Sequence, residues 1–171
     1  GKSTPNVTQY GLVHLDGTQA TTYARIRKLA GDDFKRASRQ RIVLQAIMEK
    51  AKKADFGTLT SICNSVIDDI STSLSITEIL SLAKDVASYN IASTTGFPFE
   101  LTTEHLAGSG DTVIPADLAT NVVELHKYMF DDETYTLSST VQTISDAIVY
   151  KTGITSESAK INTSDYNETA G

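Results

Sequence analysis

Leu15-Asp-Gly-Thr-Gln-Ala-Thr-Thr-Tyr-Ala-Arg-Ile-Arg27 and Asp33-Phe-Lys-Arg-Ala-Ser-Arg-Gln-Arg-Ile-Val-Leu44 are the two segments on which the fold of this chain turns. Asp16 is a good N-cap, and Gln19 stands three residues later in the capping-box position, so a helix is expected from about Thr18 to Tyr23. Gly31-Asp32-Asp33 breaks the pattern, and a second helix is expected from about Phe34 to Lys53. All five arginines of the 171-residue chain fall within this stretch, between Arg25 and Arg41.

Arginine offers a planar fork of donors, stays charged at any working pH, and matches phosphate or carboxylate oxygens two at a time. At about 100° per residue, Arg36, Gln40, Val43 and Ile47 form one stripe, read as the inward face of the second helix. Arg39 lies at its border, while Lys35, Arg41, Gln45 and Lys52 point to water. Free amides and the positive dipole end favour an anion at the helix N-terminus. A buried guanidinium needs a partner, and Asp33 is the local acid. Arg25 and Arg27 would point apart on a helix but share a face on extended chain. If they serve one anion, the first helix ends near Tyr23 and the chain straightens. Two readings stay open: solvated charge with one structural pair to Asp33, or a site for phosphate-like anions. Confinement of every arginine to one run favours the site.

Outward from this run, the totals describe one ordinary globular domain, with net charge −6 and pI near 5.0. Ten of the fifteen basic residues lie between Arg25 and Lys53. The positive charge is therefore local, against a nucleic-acid binder with a basic face. The lone Cys63 reads as a small core residue. No apolar run reaches the ~20 residues of a membrane span. His14, His105 and His126 have no metal-ligand spacing, and Asp131 to Glu133 read as helix-end acids.

Further elements follow from pattern. Gly11 to Leu15 is strand-like. Leu59, Ile62, Cys63, Val66, Ile67 and Ile70 repeat at helical spacing, and Ser75 with Glu78 opens a fourth helix as a capping box. Strands are expected over Tyr89–Thr94, Phe97–Thr102 and Asp111–Pro115, with a turn at Gly108-Ser-Gly110. Asp117 caps a fifth helix, and Ser138 or Ser139 begins a sixth that ends at Gly153. Residues 154–171 read as a disordered polar tail. The fold class is α/β and helix-rich, with too few strands to cover its helices, as in part of a larger domain.

The two opening segments resemble the second half of the LytR-CpsA-Psr domain. They carry its Leu-Asn/Asp-Gly helix start, then Tyr-Ala-Arg-x-Arg, then Asp-x-x-Arg-x-x-Arg-Gln. The resemblance is dense over Leu15–Lys53 and continues through the Val-Ile-Pro-Ala-Asp turn to about Phe130. It implies that residues 1–153 are the C-terminal part of a mixed-sheet α/β/α catalytic domain whose first half does not precede Gly1. It also implies an extracytoplasmic, membrane-anchored phosphotransferase, with the anchoring helix in the missing part. Such enzymes move an anionic glycopolymer, a teichoic acid or capsular polysaccharide, from a polyprenyl pyrophosphate carrier to peptidoglycan.

By the same resemblance, Arg25, Arg27, Arg36 and Gln40 would contact the pyrophosphate, with Arg39 assisting. Asp33 would orient an arginine or act as the acid-base group, so that Asp33 and Arg36 stand as the catalytic pair. Magnesium would be the cofactor, bound by aspartates expected in the missing half; no metal ligand is assigned here. Nucleic acid is not an expected partner. The competing readings are a non-catalytic module for anionic lipid or polymer, and a DNA-binding regulator, which the acidic surround opposes.

Overall fold

A computed structural model describes Thr8, residues 11–27 and residues 32–166, with Asp32 described in its backbone alone. These residues fall into two compact units: residues 11–26 with 39–93, and residue 27 and residues 32–38 with 94–166. The helix-rich α/β class is as read from the sequence: six α-helices and one three-stranded antiparallel sheet among the described residues.

The first unit holds α1 (Gly17–Arg25), most of α2 (Asp32–Ala51), α3 (Phe56–Val66) and α4 (Ile76–Lys84). Local side chains start these helices. Asp16 Oδ1 accepts from the Gln19 amide at 2.8 Å while Gln19 Oε1 accepts from the Asp16 amide at 3.0 Å, the reciprocal box that the sequence predicts. Asp55 caps α3 through Thr58, and Ser75 and Glu78 form the second box, at α4. The hydrogen bonds from Thr58 and Ser75 hold the Asp55 and Glu78 carboxyls below their ordinary range. Leu59 is buried, whereas Leu44, Ile47, Ile62, Ile70 and Leu82 are more than half exposed. Cys63, read as a core residue, is half-buried.

The second unit is built on β1 (Glu100–Leu106), β2 (Gly110–Pro115) and β3 (Ile161–Asn162), in the order β2-β1-β3. The hairpin pairs Leu106 with Gly110 at the turn and Leu101 with Pro115 at its far end. Leu101 and Thr102 are adjacent in sequence and both fully buried, so β1 is covered on both faces here. Helix α5 (Leu118–Phe130) packs against α6 (Ser139–Thr152). Gly153 stops α6 at φ 71°, where its amide reaches Val149 O at 2.7 Å.

Several boundaries differ from expectation. No strand forms over Gly11–Leu15 or Tyr89–Thr94, because neither segment has a partner edge on which to build a ladder. The strand expected over Phe97–Thr102 starts at Glu100, after a cis Phe97–Pro98 bond, and runs to Leu106. The tail expected from residue 154 is ordered as far as it is described. Ile161 pairs with Leu101, the Lys160 amide reaches Leu101 O at 3.1 Å, and Tyr166 packs its ring 5.3 Å from that of Phe34. Polar composition concealed this segment, since its order comes from backbone pairing with a distant strand. Residues 167–171 lie outside the described residues.

Candidate functional site: the arginine run

Helix α1 runs two residues past the expected stop, through Arg25. The chain straightens at Ile26 (φ −57°, ψ 128°), whose amide still reaches Tyr23 O at 3.3 Å. Arg25 is therefore helical and exposed, while Arg27 sits on the segment beyond. The expected single extended segment carrying both does not form, because the last helical hydrogen bonds hold Arg25 in the turn.

In the second unit, Asp33 draws two arginines together. Arg27 meets it fork to fork, with Nε 3.0 Å from Oδ1 and Nη2 3.1 Å from Oδ2. Arg36, one helical turn along α2, places Nη2 3.2 Å from Oδ1. The side chains of Arg27, Asp33 and Arg36 are 61%, 53% and 34% exposed. In such surroundings each pair stabilises the fold by at most about 1 kcal/mol. Its larger effect is geometric. One carboxylate fixes the directions of two part-exposed guanidinium groups, so the three side chains carry one positive charge in excess, an arrangement that suits an anion.

In the first unit, Arg39 and Gln40 exchange the places expected of them. Arg39, expected at the rim, is 6% exposed, and its Nη1 donates to Ile26 O at 3.0 Å. Gln40, expected inward, is exposed and makes one long contact, Nε2 to Ala24 O at 3.5 Å. Ile47, the end of the supposed inward stripe, is 57% exposed. Lys52, expected in water, bonds Glu49 at 3.1 Å and Asn90 at 2.9 Å, and Arg41 is half-buried. The inner side of α2 is instead marked by Ser38, 1% exposed.

A second polar cluster supports β1 and α5. Buried Asn121 accepts from the Phe99 and Glu100 amides at 2.7 and 3.1 Å, and donates to Glu100 O and Asp117 O at 3.0 and 2.9 Å. Asp117, the cap expected from sequence, adopts φ 66° and accepts from the Ala119 and Thr120 amides and from the hydroxyls of Thr120 and Ser145. Burial pushes its carboxyl up, but the hydrogen bonds from Thr120 and Ser145 outweigh this, and the net shift is downward. These residues satisfy backbone groups, and the reading is structural. His126 stacks on Tyr135 at 3.4 Å, as a packed ring. Among the described residues, no group of three or more His, Cys, Asp or Glu could hold a metal ion. No described helix is long and apolar enough to cross a membrane.

Comparison with protein families gives a match to the model described as the LytR_cpsA_psr family, over residues 2–127. No curated protein and no solved structure gives a match.

Proposed function

The chain belongs to the LytR_cpsA_psr family, whose members are transferases of cell-wall polymers, and on that premise we propose that it carries the pyrophosphate-binding arginines of a glycopolymer phosphotransferase. The substrate is an anionic glycopolymer, wall teichoic acid or capsular polysaccharide, linked to a polyprenyl pyrophosphate carrier, and the acceptor is peptidoglycan. The reaction belongs to the outer face of the cell membrane, where carrier and acceptor meet.

The observation that carries this reading is Asp33 holding Arg27 and Arg36 on one carboxylate. Transfer from a pyrophosphate leaves negative charge on the departing phosphate, so positioned cations lower the barrier more than covalent help does. Arg27 and Arg36 supply that charge in fixed directions, and Arg25 and Gln40 extend the contacts as the resemblance assigns them. Both oxygens of Asp33 already accept from guanidinium groups, which supports an orienting role. Magnesium remains part of the reading, but the described residues offer no ligand set for it, and no step is derived through it.

The test is wall attachment in cells. Cells whose own copy carries Arg36→Ala should shed glycopolymer into the medium rather than retain it on peptidoglycan. Retention at the wild-type level would remove Arg36 from the site and leave the proposal without its central cation.

A further inference from the structure

Arg39 is the most buried arginine described, at 6% exposure, and among the described residues no carboxylate pairs with it. A guanidinium is rarely held so deep without an ionised partner, because desolvation costs several kcal/mol. Its observed hydrogen bond goes to a backbone carbonyl, Ile26 O, at 3.0 Å. That carbonyl has a special place. Ile26 is the C-cap of α1, the residue at which helix gives way to extended chain. Its neighbours in sequence are Arg25 and Arg27.

We infer that Arg39 is a positioning residue that fixes the Ile26 peptide and so sets how Arg25 is presented to an anion, without touching the anion itself. A cation at a helix C-terminus is favoured by the dipole and satisfies a carbonyl that the helix leaves free. With Ile26 O anchored, α1 ends at one residue, and Arg25 beside it leaves the backbone in a defined direction. Without the anchor, the last turn of α1 can fray, and Arg25 loses a fixed origin. The carbonyl bond also explains why Arg39 is buried while Gln40 beside it is exposed. This role rests on the pyrophosphate reading above and replaces, for Arg39, the direct contact expected from sequence.

The experiment is a double-mutant cycle on the whole chain, with inorganic pyrophosphate as the probe and calorimetry as the readout. Arg39→Met keeps the bulk but removes the donors, and should weaken binding about tenfold, as expected for a lost buried hydrogen bond. Arg39→Lys, which keeps a cationic donor, should recover most of that loss. The decisive arm is the background lacking the arginine so positioned, Arg25→Ala, where Arg39→Met should cost nothing further. A full tenfold loss in that background would overturn the inference, because Arg39 would then act on the anion by another route. Arg39→Met that binds like wild type would overturn it as well. Failure of the wild-type chain to bind pyrophosphate is a separate result, which overturns the functional reading and this inference together. Each variant's melting temperature without ligand shows whether a loss of affinity is a loss of folded protein.

Discussion

Arg27 and Asp33 are joined along one guanidinium edge by a hydrogen bond from Nη2 to Oδ2 at 3.1 Å and an ion-pair contact of Nε with Oδ1 at 3.0 Å. The pair is largely in water, so its strength is small and its geometry is what matters. Asp33→Asn keeps the shape but removes the charge. It should reduce transfer about tenfold, through loss of fixed arginine directions, while changing stability by less than about 1 kcal/mol. Parallel measurement of wall attachment and thermal unfolding separates the two effects. A variant that transfers normally would show that the arginines need no such guide.

Asn121 answers five backbone groups from within the core of the second unit. Asn121→Ala should destabilise the protein by about 2–4 kcal/mol, since it leaves buried donors and acceptors unmet. Denaturant unfolding measures this directly. A loss under about 1 kcal/mol would mean that water replaces the side chain without difficulty.

Thr102 is fully buried, and its hydroxyl finds no partner among the described residues. Thr102→Val keeps the branched shape and removes the orphaned polar atom. Stability should rise by about 1 kcal/mol. If the same denaturant assay shows a loss, the hydroxyl is satisfied in solution by a group that the static structure does not pair with it.

Acid stability should depend on Asp117. Its carboxyl sits below its ordinary value, about 3.9 when unfolded, so it favours the folded state at any pH above that value. The contribution fades only as pH falls from there through the lower folded value. Ser145→Ala removes the 2.7 Å hydrogen bond to Asp117 Oδ1 and should move the acid-unfolding midpoint to higher pH. An unchanged midpoint in a pH titration followed by circular dichroism would assign the acid limit to other carboxyls.

What the sequence made legible was local. The boxes at Asp16–Gln19 and Ser75–Glu78, the Asp117 and Ser138 caps and the Gly153 stop each involve residues within one helical turn, so spacing alone contains them. The hairpin around Gly108–Gly110 follows for the same reason. The direction in which α2 faces was not legible. Arg39 and Gln40 differ by one position, and the distinction between them is made by the Ile26 carbonyl, thirteen residues away. The strand expected at Tyr89–Thr94 had a suitable pattern but no edge to join, and β3 had an edge but only two residues with which to announce itself. Within the arginine run, the Asp33 pairing was foreseeable from its spacing to Arg36; the fork with Arg27, six residues before Asp33, was not.

Thr163 reaches back to Gly96 O across 67 residues, and the strand just before it completes the sheet beside β1. Closing so long a loop costs entropy before any contact repays it, which slows folding and ties it to the order in which the chain appears. On the ribosome, the helices of residues 39–93 can associate as they emerge, since their contacts are short-range. The third strand must wait until residue 163 has left the exit tunnel, and until then the edge of β1 that Ile161 and Asn162 pair remains open. Nascent chains arrested before that point should therefore be cut by protease near β1, and chains arrested well beyond it should be protected there. The interval between the two is when this protein most needs a chaperone.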